Sequence, residues 1–179
     1  EPETLDGGIF LSDNFLYYGD LDEGADVERP QYFEYRFITV DTAQKTKSHN
    51  DWTVFAEWDV FEGRIYRLSY FRKRVEARDL RREFMSFLLA SHKKNNSENG
   101  NLRKAIVEDK SSGTGLIQEV KAKSPVPIVA LQRSTDKFTR AMDVADHHAA
   151  GKVVLPLDDP YNYEFVSEVA SFTADDTHK

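Results

Sequence analysis

Phe37-Ile38-Thr39-Val40-Asp41 is a β-branched run that ends on a carboxylate. It reads as a short buried strand in a segment whose regular structure begins near Tyr35. Downstream, Thr42 to Asn50 is polar and turn-like, and Trp52 to Val60 reads as a second strand. Glu62-Gly63 supplies a hairpin turn, and Arg64 to Phe71 completes a three-strand antiparallel meander. Helix then takes over, because Leu80, Phe84, Phe87 and Leu88 fall at i, i+4, i+7 and i+8 and make one apolar face. A polar loop from residue 93 to 103, expected to be mobile, leads to Ala105-Ile106-Val107, a second apolar strand that ends in acids, Glu108-Asp109. A Ser-Ser-Gly-Thr-Gly turn opens a helix with Leu116, Ile117 and Val120, and Pro127 to Leu131 is another strand. Ser134 to His148 reads as a helix, Val153 to Leu155 as a brief strand. Asp159-Pro160 reads as the start of a last helix, with Tyr161, Phe165, Val169 and Phe172 as its stripe.

Strands first in a meander and then alternating with helices predict a mixed sheet with helices on both faces, an α/β layer architecture. Upstream of the meander, residues 1–35 read as an acidic, irregular connecting segment packed on the domain by Phe15, Tyr17 and Tyr18, and residues 36–179 as the domain itself. The 179 residues suit one domain. The opening Glu1-Pro2-Glu3 suggests a piece of a longer protein.

The formal charge is −7, so bulk charge does not mark a nucleic-acid binder. The distribution does more. Residues 1 to 28 hold nine carboxylates and no Lys or Arg, whereas Arg64 to Arg82 holds eight bases (Arg64, Arg67, Arg72, Lys73, Arg74, Arg78, Arg81 and Arg82) against Glu76 and Asp79. A basic stripe on an acidic protein is either a phosphate-contacting surface or a solvated face. The absence of cysteine excludes disulfides, thiolate zinc sites and a cysteine nucleophile. No apolar run approaches the ~20 residues of a membrane span. There is no ATP-binding phosphate loop and no Gly-x-Ser-x-Gly elbow. His147, His148 and His178 lack zinc spacing, and the first two read as dipole-compensating residues at a helix C-terminus. Gly113-Thr114-Gly115 reads either as a phosphate cradle at a helix start or as a tight turn.

What remains is the pairing of acids with strand ends. Asp41 closes one apolar strand and Glu108-Asp109 another, and in open α/β sheets sites are built at the carboxyl ends of strands. Either acid alone is equally a cap or turn former. Two on neighbouring strands would repel, and a hard divalent cation with oxygen ligands relieves that repulsion. The chemistry this suggests is two-metal phosphodiester hydrolysis. Adjacent residues face opposite sides of a sheet, so spacing leaves open whether Glu108 or Asp109 faces Asp41. Lys137 and Arg140, three apart on one helix, are placed to reach phosphates or to pair with acids.

Several strings together resemble one family. Ile38-Thr39-Val40-Asp41-Thr42-Ala43-Gln44-Lys45, followed by Asn50-Asp51-Trp52-Thr53-Val54, resembles the start of the nuclease domain of tailed-bacteriophage large terminase subunits. Ile106-Val107-Glu108-Asp109-Lys110-Ser111-Ser112-Gly113, Lys137-Phe138-Thr139-Arg140-Ala141 and Gly151-Lys152-Val153-Val154-Leu155-Pro156 follow in the family's order, as do Glu164 to Val169 and Phe172. The resemblance implies an RNase H-like endonuclease that cuts concatemeric viral DNA during packaging in the host cytoplasm, with two Mg²⁺ or Mn²⁺ ions held by three acids. Asp41 matches the first, and Glu108 the second, with Asp109 as the neighbour that takes that role if Glu108 does not. The third is either Asp176 or an acid beyond Lys179. Implied partners are double-stranded DNA, an ATPase motor domain in the same polypeptide, the portal and the small terminase subunit, with no membrane. A junction resolvase or transposase-like nuclease of the same fold, and a docking module of the packaging motor, are the competing readings.

Overall fold

The computed structural model describes residues 8–42, 52–110 and 112–173. In chain order its strands are β1 (Leu16–Gly19), β2 (Val27–Glu28), β3 (Tyr35–Asp41), β4 (Thr53–Phe61), β5 (Arg64–Lys73), β6 (Asn101–Glu108), β7 (Ile128–Leu131) and β8 (Val153–Pro156). Its helices are α1 (Ala77–His92), α2 (Ser112–Val120), α3 (Lys137–Ala149) and α4 (Asn162–Ala170). The fold is mixed α/β, as the strand-then-alternation order predicts. Two units divide it: Pro30–Phe61 with Arg67–Arg133, and the residues before and after these together with Glu62–Tyr66.

In the unit built on Pro30–Phe61 and Arg67–Arg133 the strand order is β5-β4-β3-β6-β7. β3 is antiparallel to β4, with Val40 opposite Phe55 and Asp41 opposite Val54. It is parallel to β6, with Val40 beside Val107. Alternation puts Ile38, Val40, Phe55, Ala105 and Val107 on one face. There they meet Leu80, Phe84 and Leu88 of α1 and Leu116 and Val120 of α2 to form the core. The i, i+4, i+8 stripe of α1 is what lets a straight helix cover three strands. Phe71 of β5 stacks on Phe55 at 4.6 Å, so it too lies on the core face. The turn after β4 takes positive φ at both Glu62 (46°) and Gly63 (72°), the two-residue hairpin geometry that matches strand twist.

The strand β6 is not regular. Leu102 pairs with Arg36 but Lys104 pairs with Phe37, so Arg103 is an extra residue in the ladder. The bulge lets Leu102 and then Ala105 and Val107, spaced three and then two, all reach the core.

The polar loop before β6 is pinned, contrary to the expectation of mobility, because it closes over a buried ion cluster. Arg36 and Glu57, both on the core face and 0% exposed, meet with Nη1 to Oε1 at 2.5 Å. Ser91 donates to the same oxygen at 2.8 Å and Lys94 to the other at 2.9 Å. Arg36 also donates to the Asn95 Oδ1 at 2.6 Å, which accepts the Leu102 N–H as well. Burial pushes the Glu57 carboxyl up, but the hydrogen bonds and charge of Lys94, with Ser91 and Arg36, outweigh it and hold the group below its ordinary value.

The other unit corrects the reading of the acidic opening as irregular. Leu16–Gly19 is a strand, parallel to β2 and to β8, with Tyr17 beside Leu155. β8 in turn pairs in parallel with the first residues of β5. Of the aromatics expected to pack this segment, Tyr17 and Tyr18 are also ladder residues while Phe15 precedes the strand. α3 starts three residues later than its polar run suggests, because Asp136 accepts from the Thr139 N–H at 2.9 Å and its hydroxyl at 2.8 Å, an N-cap. Those bonds hold the Asp136 carboxyl below its ordinary value. Gly151, at φ 64°, ends the helix in the left-handed conformation. His147 and His148 lie in the last turn of α3, as read, and His148 is also buried: Phe15 lies 4.6 Å from its ring, and its Nε2–H donates to the Leu11 carbonyl at 2.8 Å. Asp159 accepts from the Tyr161 N–H at 2.7 Å, which makes Asp159-Pro160 a turn that precedes α4.

Candidate active site

β3 and β6 run side by side and parallel, so their carboxyl ends finish at one edge of the sheet. The last pairs in register are Thr39 with Ile106 and Val40 with Val107. The next residues along, Asp41 and Glu108, are therefore neighbours about 4.8 Å apart in the backbone. Since Val40 and Val107 point into the core, Asp41 and Glu108 both point to the opposite face. Asp41 is exposed and Glu108 half-buried. Two adjacent carboxylates repel, and Arg133, with Nε 3.8 Å from Glu108 Oε1, places a positive charge beside one of them.

Asp109 goes elsewhere. Its backbone N–H donates to the Leu131 carbonyl, and its Oδ1 accepts from the Thr114 hydroxyl at 2.6 Å, on the first turn of α2. In the structure Glu108 shares the side of Asp41, whereas Asp109 ties β6 to α2. The signal available in the sequence was the three-residue spacing of Leu102 and Ala105, which betrays the bulge that sets this phase.

Gly113 explains part of the glycine-rich turn. A Cβ at this position would lie 2.0 Å from the Glu108 carbonyl oxygen and 3.2 Å from its carbon, so α2 can approach the strand end only without a side chain there. Gly115 has open space instead. Gly113→Ala is therefore expected to cost roughly 1–3 kcal/mol, while Gly115→Ala should be neutral or stabilising by up to ~1 kcal/mol through helix propensity. Thermal melts of the two variants check the contrast.

Asp41 and Glu108 supply hard oxygen donors on one face, which fits a divalent cation of the Mg²⁺ type. Among the described residues no group of three or more His, Cys, Asp or Glu is gathered to hold a metal ion. Asp176 lies outside the described residues. Lys137 and Arg140 belong to the other unit, on the first turn of α3. Lys137 is exposed, and Arg140 donates to the Thr135 carbonyl at 2.9 Å. No helix of the described residues is long and apolar enough to cross a membrane.

A mixed sheet with an acid at the carboxyl end of each of two parallel neighbours is an RNase H-like arrangement. The family described as the Terminase RNaseH-like domain matches residues 38–179, and the chain belongs to it. No curated protein matches the chain by sequence. Among solved structures, the large terminase nuclease of thermophilic phage G20c with bound magnesium is 15% identical, with a TM-score of 0.61 over 94% of this chain and 82% of that one. The nuclease domain of the human cytomegalovirus terminase, soaked with manganese and inhibitor-bound, is 14% identical, with a TM-score of 0.52 over 90% and 83%. The large terminase of thermophilic bacteriophage D6E with ATP-gamma-S is 18% identical, with a TM-score of 0.60 over 90% of this chain and 37% of that one. The chain thus spans about a third of the D6E protein's length. At these identities the likeness is one of fold.

Proposed function

We propose that this chain is a metal-dependent DNA endonuclease that cuts concatemeric viral DNA during genome packaging. One observation carries the reading: in a member of the terminase RNase H-like family, Asp41 and Glu108 end neighbouring parallel strands on one face. These two carboxylates hold the metal, with Asp176 as the candidate third ligand. Two Mg²⁺ or Mn²⁺ ions, when bound, supply the Lewis acidity for in-line attack of water on a phosphodiester and for departure of the 3′-hydroxyl.

The chain's own residues do the rest. Arg133 holds the Glu108 carboxylate in place, and Asp109 fixes the strand end through Thr114. Lys137 and Arg140 contact the DNA backbone. Phosphate contacts set register and carry no sequence information, so cutting is sequence-independent and falls steeply with salt. The motor ATPase domain, the portal and the small terminase subunit are the partners this role implies.

Nicking of supercoiled plasmid in Mn²⁺, Mg²⁺ or EDTA tests the reading, with Asp41→Ala beside the parent chain. Metal-dependent nicking that falls to the EDTA level in Asp41→Ala supports it. Nicking that survives Asp41→Ala sinks the site, and a strict preference for four-way junctions moves the function to the resolvase class.

A further inference from the structure

The basic stripe from Arg64 to Arg82 is largely engaged. Arg78 faces Glu76, Arg81 faces Glu119, and Arg82 faces Asp79 and Glu83. Arg67 is buried, and Arg72 and Arg74 lie over the Trp52 ring. The cation that meets Glu108 of the candidate site is a different one, Arg133, which no pattern in the sequence marks.

Its place follows from register. β7 runs parallel to β6 with Leu131 beside Glu108, so β3, β6 and β7 all end at one edge of the sheet. Arg133 follows β7 by two residues and meets Glu108 there, Nε to Oε1 at 3.8 Å. That is a charge contact rather than a hydrogen bond, which needs about 2.7–3.2 Å. The two side chains are 40% and 25% exposed, and an ion pair so open to water contributes little to the fold. Its role is electrostatic. Asp41 and Glu108 repel each other across one strand spacing, and a guanidinium beside Glu108 offsets part of that repulsion.

From this geometry we infer that Arg133 stands in for the divalent cation at Glu108 and, once displaced, binds a phosphate of the DNA. Glu108 gives up Arg133 when it becomes a metal ligand, because the two positive charges compete for one carboxylate and repel each other. The released guanidinium stays at the sheet edge where Asp41 and Glu108 end, and its planar fork matches a phosphate bidentately. Occupation of the carboxylates and grip on DNA are thereby coupled, each favouring the other. The inference rests on the nuclease reading for its cation and substrate, but binding tests it without cleavage.

Calorimetric titration of the DNA-free chain with Mn²⁺ is the first arm of the experiment. Arg133→Gln should bind Mn²⁺ about two- to fivefold more tightly, the worth of one exposed ion pair removed from competition. Arg133→Lys keeps the charge and should stay near the parent; circular dichroism melts confirm that each variant is folded. The second arm follows fluorescence anisotropy of a short labelled duplex across a salt series, in EDTA and in Ca²⁺, which takes oxygen ligands as Mg²⁺ does. In Ca²⁺, Arg133→Gln should reduce the slope of log K against log[salt] by about 0.9, one phosphate contact. In EDTA, where Arg133 stays on Glu108, its slope should match the parent's. Unchanged or weaker Mn²⁺ binding in Arg133→Gln overturns the stand-in, because a residue that only steadies Glu108 would loosen the metal when removed. An equal loss of slope in EDTA and Ca²⁺ overturns the exchange and makes Arg133 an ordinary phosphate contact. Mn²⁺ binding that is lost in Asp41→Ala beside either result keeps the carboxylate site and removes only this role of Arg133. A parent chain that binds no Mn²⁺ removes both.

Discussion

Glu108→Ala should nick plasmid no faster than the EDTA control, whereas Asp109→Ala should retain metal-dependent nicking with a lowered melting temperature. The two acids are adjacent in sequence, and only the ladder separates their roles. Glu108 continues the parallel register in which Val40 stands beside Val107, so its carboxylate and that of Asp41 share a face. Removing it takes away half of the described oxygen donors. Asp109 instead accepts the Thr114 hydroxyl at 2.6 Å, a contact between β6 and α2 whose loss costs about 0.5–1.5 kcal/mol, or up to 3 for a charged acceptor. Comparing nicking rates and melts for both variants separates a ligand from a support. Equal loss of nicking in the two, with equal stability, would reverse the assignment.

The largest change in stability is expected at Glu57. Glu57→Ala leaves Arg36, wholly buried, without the carboxylate it meets at 2.5 Å, and it removes the acceptor of Ser91 and Lys94. Breaking a buried pair from one side costs about 3–5 kcal/mol, a large share of the 5–15 kcal/mol typical of a folded domain. Urea unfolding measures it. Arg36→Met/Glu57→Leu should recover much of the loss, because neither charge is then buried alone. The pH dependence has a definite sign. Glu57 lies below its ordinary value in the fold, so its contribution is complete above the ordinary carboxylate range and is lost as pH falls through the lower folded value. The stability gap between the parent and Glu57→Gln should accordingly narrow on acidification.

The meander, α1 and the strand that ends in Glu108-Asp109 were legible because each carries a strong period: β-branched runs bounded by turns, and Leu80, Phe84 and Leu88 on one helical stripe. The family strings brought in the RNase H-like reading. β1 was not legible, since Leu16-Tyr17-Tyr18-Gly19 is short and flanked by acids, and its ladder partners in β8 lie far along the chain. The ion cluster was hidden for the same reason. Arg36, Glu57, Ser91 and Lys94 are polar residues on elements distant in sequence, and no local pattern marks them as interior. Trp52 stands in one of the family strings, but its contact with Arg72 and Arg74 depends on a hairpin that folds β5 back along β4.

The extra residue at Arg103 acts as a parity bit for the strand. Upstream of it even-numbered side chains enter the core, as Leu102 does; downstream the odd-numbered ones do, as Ala105 and Val107 do. A chain lacking Arg103 would form an ordinary ladder and keep every later residue on its present side. A chain that kept Arg103 but ironed out the irregularity would send Ala105 and Val107 outward, set Val107 rather than Glu108 beside Asp41, and put Asp109 instead of Glu108 on that side of the sheet. Which of two neighbouring acids shares the side of Asp41 is therefore decided five positions away, by counting rather than by contact.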